Sequence, residues 1–409
     1  MKIRWILFLL FTTIFFRTII NAQNKEGVVI EAIDIENISV IINSIHDSIE
    51  VVGLGESSHY TMEYYEYRTK IITELIQRDF KLLLFEVDYG TAIEWNRFIK
   101  NGVGDIDDIL RNCPWWTYST LEFKNLLEYL RVYNTELADE EKVSVFGLEM
   151  TYLEGLFQSL TEIVKSYYQE ADKEKVIEKL AENRNYLAFS KYESKEIEDY
   201  LGVRDVVRKI KKAIENNSNI STTVNEEIVM IENIISQFLS YISLDNQTLK
   251  ARLRDQFSFN NYEYLRYFND NNKTIVWAHT GHLEKTYSYV QLGHLLNFSL
   301  GNNYYNLTFD YGSGENGTRQ PELGLSAVKF ERKKGSLTDY LYNLEPSDYF
   351  IDVVKSRKTL NEKNQYTIMN TLNEYTDAKK YYPYRKIDLL KAVDGLIFIR
   401  ETHMPTSVK

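Results

Sequence analysis

Apolar residues in this chain gather into short runs, and the runs end in charge. "VVGLGE" closes on Glu56, "FKLLLFEVD" carries Glu86 and Asp88 at its end, and "VSVFGLE" closes on Glu149. "KTIVWAHTGH" delivers His279 and His282, "NYYNLTFDY" carries Asp310, and "DYFIDVV" and "AVDGLIFIRE" complete the set. Each run has strand length and is rich in the β-branched and aromatic residues that suit a pleated sheet. Between the early runs the period changes. Met62, Tyr65, Ile72, Leu75 and Ile76 fall on one helical stripe, and "STLEFKNLLEYLRVYN" repeats that spacing. Strand, helix, strand, helix predicts right-handed crossovers and an α/β fold with a largely parallel central sheet flanked by helices.

The middle of the chain follows another rule. Residues 152–268 contain no Pro, only Gly155 and Gly202, and long amphipathic patterns such as "LEGLFQSLTEIVKSYY" and "TVNEEIVMIENIISQFLSYIS". The polar break "NNSNIST" at Asn216 to Thr222 separates two of them. We expect an all-helical side domain over 152–268, inserted between a first core part, 23–151, and a second, 269–409. Such a domain suits one wall of a large cleft.

Composition narrows the function. Net charge is -11 with no basic run, which argues against nucleic acid as a partner. Aromatic content is 14%, with 31 Tyr, and most of these rings are expected to pack in the core. The lone Cys113 can form neither an internal disulfide nor a thiolate zinc site, and reads as a small core residue. At the N-terminus, Lys2 and Arg4 precede the apolar run Trp5 to Phe16, and Ala22 closes the segment. This is the order of a secretory signal peptide over 1–22. The run is shorter than the roughly 20 residues a membrane span needs. The expectation is an exported chain beginning near Gln23, with a retained membrane anchor as the second reading.

Ligands of open α/β sheets bind beyond the carboxyl ends of the strands. Four strand patterns here end in a carboxylate or a histidine, so Glu56, His59, Glu86, Glu149, His279 and His282 can converge. Solvent at strand ends explains one such residue, but not four strands holding three of the chain's six histidines. Glu56 beside His59 raises the basicity of the imidazole and sets its tautomer, which makes a base for water. Arg68 lies on the same side of the following helix and can neutralise Glu56 or Glu86, or hold substrate. Glu86 can orient water. His279 and His282 can polarise a carbonyl, stabilise an oxyanion or protonate a leaving alkoxide. Glu-x-x-His and His-x-x-His also suit a metal, which ranks second because the spacing is generic. Ser57 and Ser58 lack a nucleophile elbow, and "GLGESS" is neither a phosphate loop nor a full dinucleotide fingerprint. His294 has helix-face spacing, and His46 and His403 have no acidic or histidine partner at a useful spacing and read as surface or core residues.

The ordered blocks "GLGESSHYTMEYYEYRTKIITELI", "LLLFEVDYG", "VSVFGLEM", "RLRDQF", "TIVWAHTGHL", "LGHLL" and "YYNLTFDYGSG" resemble the erythromycin esterase family from about Val51 to Glu401. The resemblance implies hydrolysis of a macrolide's lactone ester, which opens the ring, inactivates the antibiotic and confers resistance. It implies no covalent intermediate, His59 as general base, Glu56 as its orienting group, and Arg68, Glu86, His279 and His282 completing the site. Trp115, Trp116 and Arg254 are expected to contact substrate. Glu149 stands where the family often has Asp, and Thr280 where many relatives have Asn. The expectation is an esterase without cofactor or metal, acting on a macrolide or another small ester. Its alternatives are a metal-dependent hydrolase of another ester on the same residues, and a non-enzymatic exported binding protein.

Overall fold

The computed structural model describes residues 30–183, 197–215, 220–286, 290–320, 324–344, 347–357, 368–370 and 384–408. The leader and the first part of the polar break lie outside the described residues. In chain order the strands are β1 (Ile30–Ile33), β2 (Val51–Glu56), β3 (Phe80–Asp88), β4 (Ser144–Glu149), β5 (Lys273–His279), β6 (Tyr304–Gln320), β7 (Gly324–Glu331), β8 (Asp348–Asp352), β9 (Ile368–Asn370), β10 (Tyr384–Lys386) and β11 (Gly395–Thr402). One sheet takes the order β1-β8-β11-β6-β2-β5-β3-β4, with β7 folded back on β6. From β11 to β4 every neighbour is parallel. The antiparallel strands β8 and β1 close one edge, while β9 and β10 form a separate ladder. The sheet is therefore mostly parallel and flanked by helices, as the sequence pattern predicts.

Continuous apolar runs, rather than alternating ones, are what strands covered on both faces require. Val52, Leu54, Leu83 and Phe85 join one apolar cluster with residues of the helices Met62–Ile76, Tyr89–Asn101 and Leu121–Asn134. Val51, Leu82 and Leu84 face the other way. They share a second cluster with the helices Glu154–Tyr167, Thr222–Ile242 and Gln247–Phe268. Of the helices of the expected side domain, Gln247–Phe268 packs on β4 and Glu154–Tyr167 packs on Tyr89–Asn101, so their apolar stripes join the core of the sheet. Among the described residues no helix is long and apolar enough to cross a membrane.

Three details aim the strand ends. Glu56 and His279 are register partners at the ends of β2 and β5, so parallel pairing alone brings them together. In β3 the register slips between Phe85 and Asp88, which turns the chain at Glu86. The slip needs Gly147 on β4, because a Cβ there would lie 2.4 Å from the carbonyl oxygens of Val87 and Asp88. Finally, β6 continues past "NYYNLTFDY" into the polar stretch Gly312 to Gln320, where pairing with β7 supplies the strand order that local apolar pattern lacks. That extension braces the turn after β2. Thr61 Oγ1 donates to Asn316 Oδ1 at 2.6 Å, and the Gly317 N–H donates to the Tyr60 carbonyl at 2.8 Å.

Gly147→Ala is expected to lower stability by about 1–3 kcal/mol, the cost of overpacking a close backbone contact. Thermal unfolding checks it, and an unchanged midpoint would show that the slip in β3 relaxes without cost.

Candidate active site

Burial of a carboxylate demands partners. Glu56 is 4% exposed, and each of its oxygens has one. Oε1 meets His59 Nδ1 at 2.6 Å, and Oε2 accepts from Arg68 Nη1. Burial pushes the Glu56 carboxyl upward, but Arg68 and His59 outweigh it and hold the group below the usual range. Arg68 is wholly buried on the helix Met62–Ile76. Its guanidinium lies 4.4 Å from the Trp277 ring, 5.2 Å from Phe309 and 5.8 Å from Tyr64. Ring faces therefore meet the N–H groups that have no hydrogen-bond acceptor. Of the options open to Arg68, the structure shows neutralisation of Glu56. With Nδ1–H given to Glu56, the lone pair of a neutral His59 sits on Nε2.

A second cluster spans β3, β4 and the helix Gln247–Phe268. Arg254 donates from Nη2 to Glu86 Oε1 and from Nε to Glu149 Oε2, both at 2.8 Å. His282 Nε2 lies 3.2 Å from Glu86 Oε1, and its Nδ1 lies 2.6 Å from Asp255 Oδ1. Burial disfavours charge on His282, yet Glu86 and Asp255 overcome it and push the imidazolium up to about 10. Burial likewise opposes charge on Glu86, and His282 and Arg254 prevail, holding it well below the usual range. Glu149 has burial as its largest influence and is raised despite Arg254.

His279 joins the clusters. Its backbone N–H donates to Glu86 Oε2 at 2.7 Å, and its ring centroid lies 5.2 Å from that of His59. The Gly281 N–H donates to His279 Nδ1 at 3.1 Å, so the neutral ring carries its proton on Nε2, a buried atom with no hydrogen-bond partner among the described residues. Burial, reinforced by the nearby His59, pushes this imidazole down to about 3. The site thus holds a base oriented by a carboxylate, a neutral N–H donor beside it and a network of buried ion pairs behind.

This geometry sits on a chain whose residues 76–402 match the family described as Erythromycin esterase. The chain belongs to the erythromycin esterase family. The match includes Glu86, Glu149, Arg254, Asp255, His279 and His282, and begins after Glu56, His59 and Arg68. The chain is 24% identical over 388 residues to an Escherichia coli protein named erythromycin esterase type II, covering 86% of this chain and 89% of that one. A Bacillus cereus protein of known crystal structure has the same fold, with a TM-score of 0.74 at 20% identity over 92% of this chain and 94% of that one. A mutant of the erythromycin esterase EreC in its open conformation gives 0.65 at 16% identity, over 92% and 96%. As a family member the chain is an esterase-type hydrolase with a small-molecule substrate.

The other residues named from sequence have definite partners in the fold. Arg254, expected at substrate, is taken up by two carboxylates and retains 27% of its side-chain exposure. Trp115 donates to Asp88 Oδ2 at 2.7 Å, and Trp116 packs on Tyr60 with ring centroids 4.9 Å apart. Asp255 carries no role legible from sequence, because its partner His282 is 27 residues away. Its only local signal is a charged pair, Arg254-Asp255, inside a helical pattern. Ser57 and Ser58 are buried in hydrogen bonds to Tyr64 and Thr61. His403 pairs with Glu63 at 2.6 Å, a partner 340 residues away in the chain. His46 is bonded to Ser48, and His294 lies half-buried on the helix Leu292–Leu300. Cys113 is buried. Among the described residues no three His, Cys, Asp or Glu side chains are placed to hold a metal ion.

His282 gives a signed dependence on pH. Its folded value, about 10, lies above the ordinary 6.5. Its stabilisation is therefore complete below about pH 6.5 and is lost as pH rises toward 10. The drop in melting temperature caused by His282→Asn should be largest near pH 6 and shrink steadily toward pH 10. A constant difference across that range would overturn the assignment.

Proposed function

We propose that this protein hydrolyses the lactone ester of a macrolide, of the erythromycin kind, with water activated at His59. The observation that carries the reading is the buried relay Arg68–Glu56–His59, whose tautomer puts the basic lone pair on Nε2, 5.2 Å ring to ring from a neutral His279. Family membership supports the reaction class and suggests the substrate.

In the proposed reaction, His59 Nε2 takes a proton from water as the water oxygen bonds to the ester carbonyl carbon. Glu56 stabilises the imidazolium that forms, and such general-base assistance is worth about 10²–10⁴ in rate. Charge moves onto the carbonyl oxygen, which the His279 Nε2–H, without a hydrogen-bond partner among the described residues, is available to meet. When the carbon–oxygen bond to the alkoxide breaks, His59 returns the proton to it. The products are a carboxylic acid and an alcohol, still joined through the opened ring. Export through the leader belongs to the same proposal, since an exported esterase meets the antibiotic before it enters the cell.

Mass spectrometry of erythromycin incubated with the protein tests this. The wild type should add one water to the drug, or yield the dehydrated ring-opened product, and His59→Ala should be slower by about 10²-fold or more. Equal turnover by both proteins would remove His59 as base, and an unchanged drug with both would remove the macrolide.

A further inference from the structure

His282 is held at both ring nitrogens by carboxylates that come from different parts of the chain. Nδ1 lies 2.6 Å from Asp255 Oδ1, on the helix Gln247–Phe268, and Nε2 lies 3.2 Å from Glu86 Oε1, on β3. A histidine that moves protons during a reaction needs one nitrogen turned to the reacting atoms. Here both are turned to fixed anions. We infer that Asp255 is a positioning residue whose carboxylate, together with that of Glu86, holds the His282 ring as a permanent cation, so that His282 does not carry the proton of the reaction. This rests on the esterase reading for its kinetic consequence, but not for the clamp itself.

The groups facing His282 support a static charge. Asp255 and Arg254 approach from the helix Gln247–Phe268, Glu86 from β3, Glu149 from β4 and His279 from the end of β5. Arg254 Nη1 is 3.5 Å from His282 Nε2, so a guanidinium as well as the Glu86 carboxylate stands beside that nitrogen. Asp255 is 2% exposed and also accepts the Leu292 N–H at 3.2 Å, so its carboxylate is anchored from a second side. Losing the proton from His282 would leave Asp255 and Glu86 buried with less positive charge, a cost that falls on every turnover if the proton moves. Held in place, the same proton fixes Glu86, and Glu86 Oε2 fixes the His279 backbone N–H at 2.7 Å. Asp255 thus acts on the reacting centre through His282, Glu86 and His279. The alkoxide must then be protonated by His59.

The test is ring nitrogen NMR of protein labelled in histidine, titrated from about pH 5 to 10 without substrate, with the His282 signals assigned by their loss in His282→Gln. The wild-type ring should keep both protons beyond pH 8, and Asp255→Asn should lower its proton affinity about tenfold or more. With an ester that the wild type turns over, kcat of Asp255→Asn should develop a new alkaline limb, recover toward acidic pH and leave KM little changed, while Asp255→Glu restores the wild-type profile. A wild-type His282 that titrates near neutral pH would overturn the inference. So would an Asp255→Asn enzyme with a uniform loss at every pH and unmoved His282 signals. If Asp255→Asn does not fold, the wild-type titration decides alone. Because that titration needs no substrate, failure of the esterase reading leaves it intact.

Discussion

Glu56 carries its charge into a place that water does not reach, and Arg68 is what keeps it there. An isolated carboxylate in such surroundings would take up a proton rather than stay ionised. Arg68, itself wholly buried, meets one oxygen, and His59 meets the other. Removing the guanidinium would leave an uncompensated buried charge, a change that typically costs about 3–5 kcal/mol. The pair also fixes geometry. Arg68 belongs to the helix that follows β2, so the end of that strand, the start of the helix and the His59 ring between them form one unit. Trp277 and Phe309, from the neighbouring strands β5 and β6, close around the guanidinium and set that unit against the sheet.

The same logic on the other side draws in the helices between Glu154 and Phe268. Arg254 answers two carboxylates, Glu86 and Glu149, that parallel pairing of β3 and β4 brings side by side. One helix thereby supplies both the cation between the strand ends and the Asp255 carboxylate behind His282. Apolar burial holds this helix to the sheet, and the ion pairs decide how it is turned.

What the sequence makes legible is what short-range physics encodes. The parallel sheet follows from apolar runs alternating with helical stripes. Glu56 and His59 are three residues apart, and one turn of chain is enough to join them. The Glu56–His279 register follows from two strands that end alike, although nothing local says that β5 lies beside β2. Partners chosen by the whole fold are illegible in the same way. Asp255 meets His282 only after the Gln247–Phe268 helix docks, and His403 meets Glu63 only after β11 places the C-terminal segment beside the helix Met62–Ile76. Trp115 and Arg254 show the same dependence on distant partners. A sequence can say that a ring or a guanidinium is near a cleft, but a single buried carboxylate, Asp88 or Glu86, decides which way it faces.

The two imidazoles that meet carboxylates in this site divide the labour of charge. His282 is locked between two acids and serves as a constant. His59 touches one acid and is 26% exposed on its side chain, the condition for a group that gains and loses a proton within each turnover. Counted formally, the carboxylates of Glu56, Glu86, Glu149 and Asp255 face the cations of Arg68, Arg254 and His282, one charge short of balance. In the proposed reaction a proton arriving on His59 supplies the missing charge as water is deprotonated, so the field of the whole cluster would favour the transition state over the resting site.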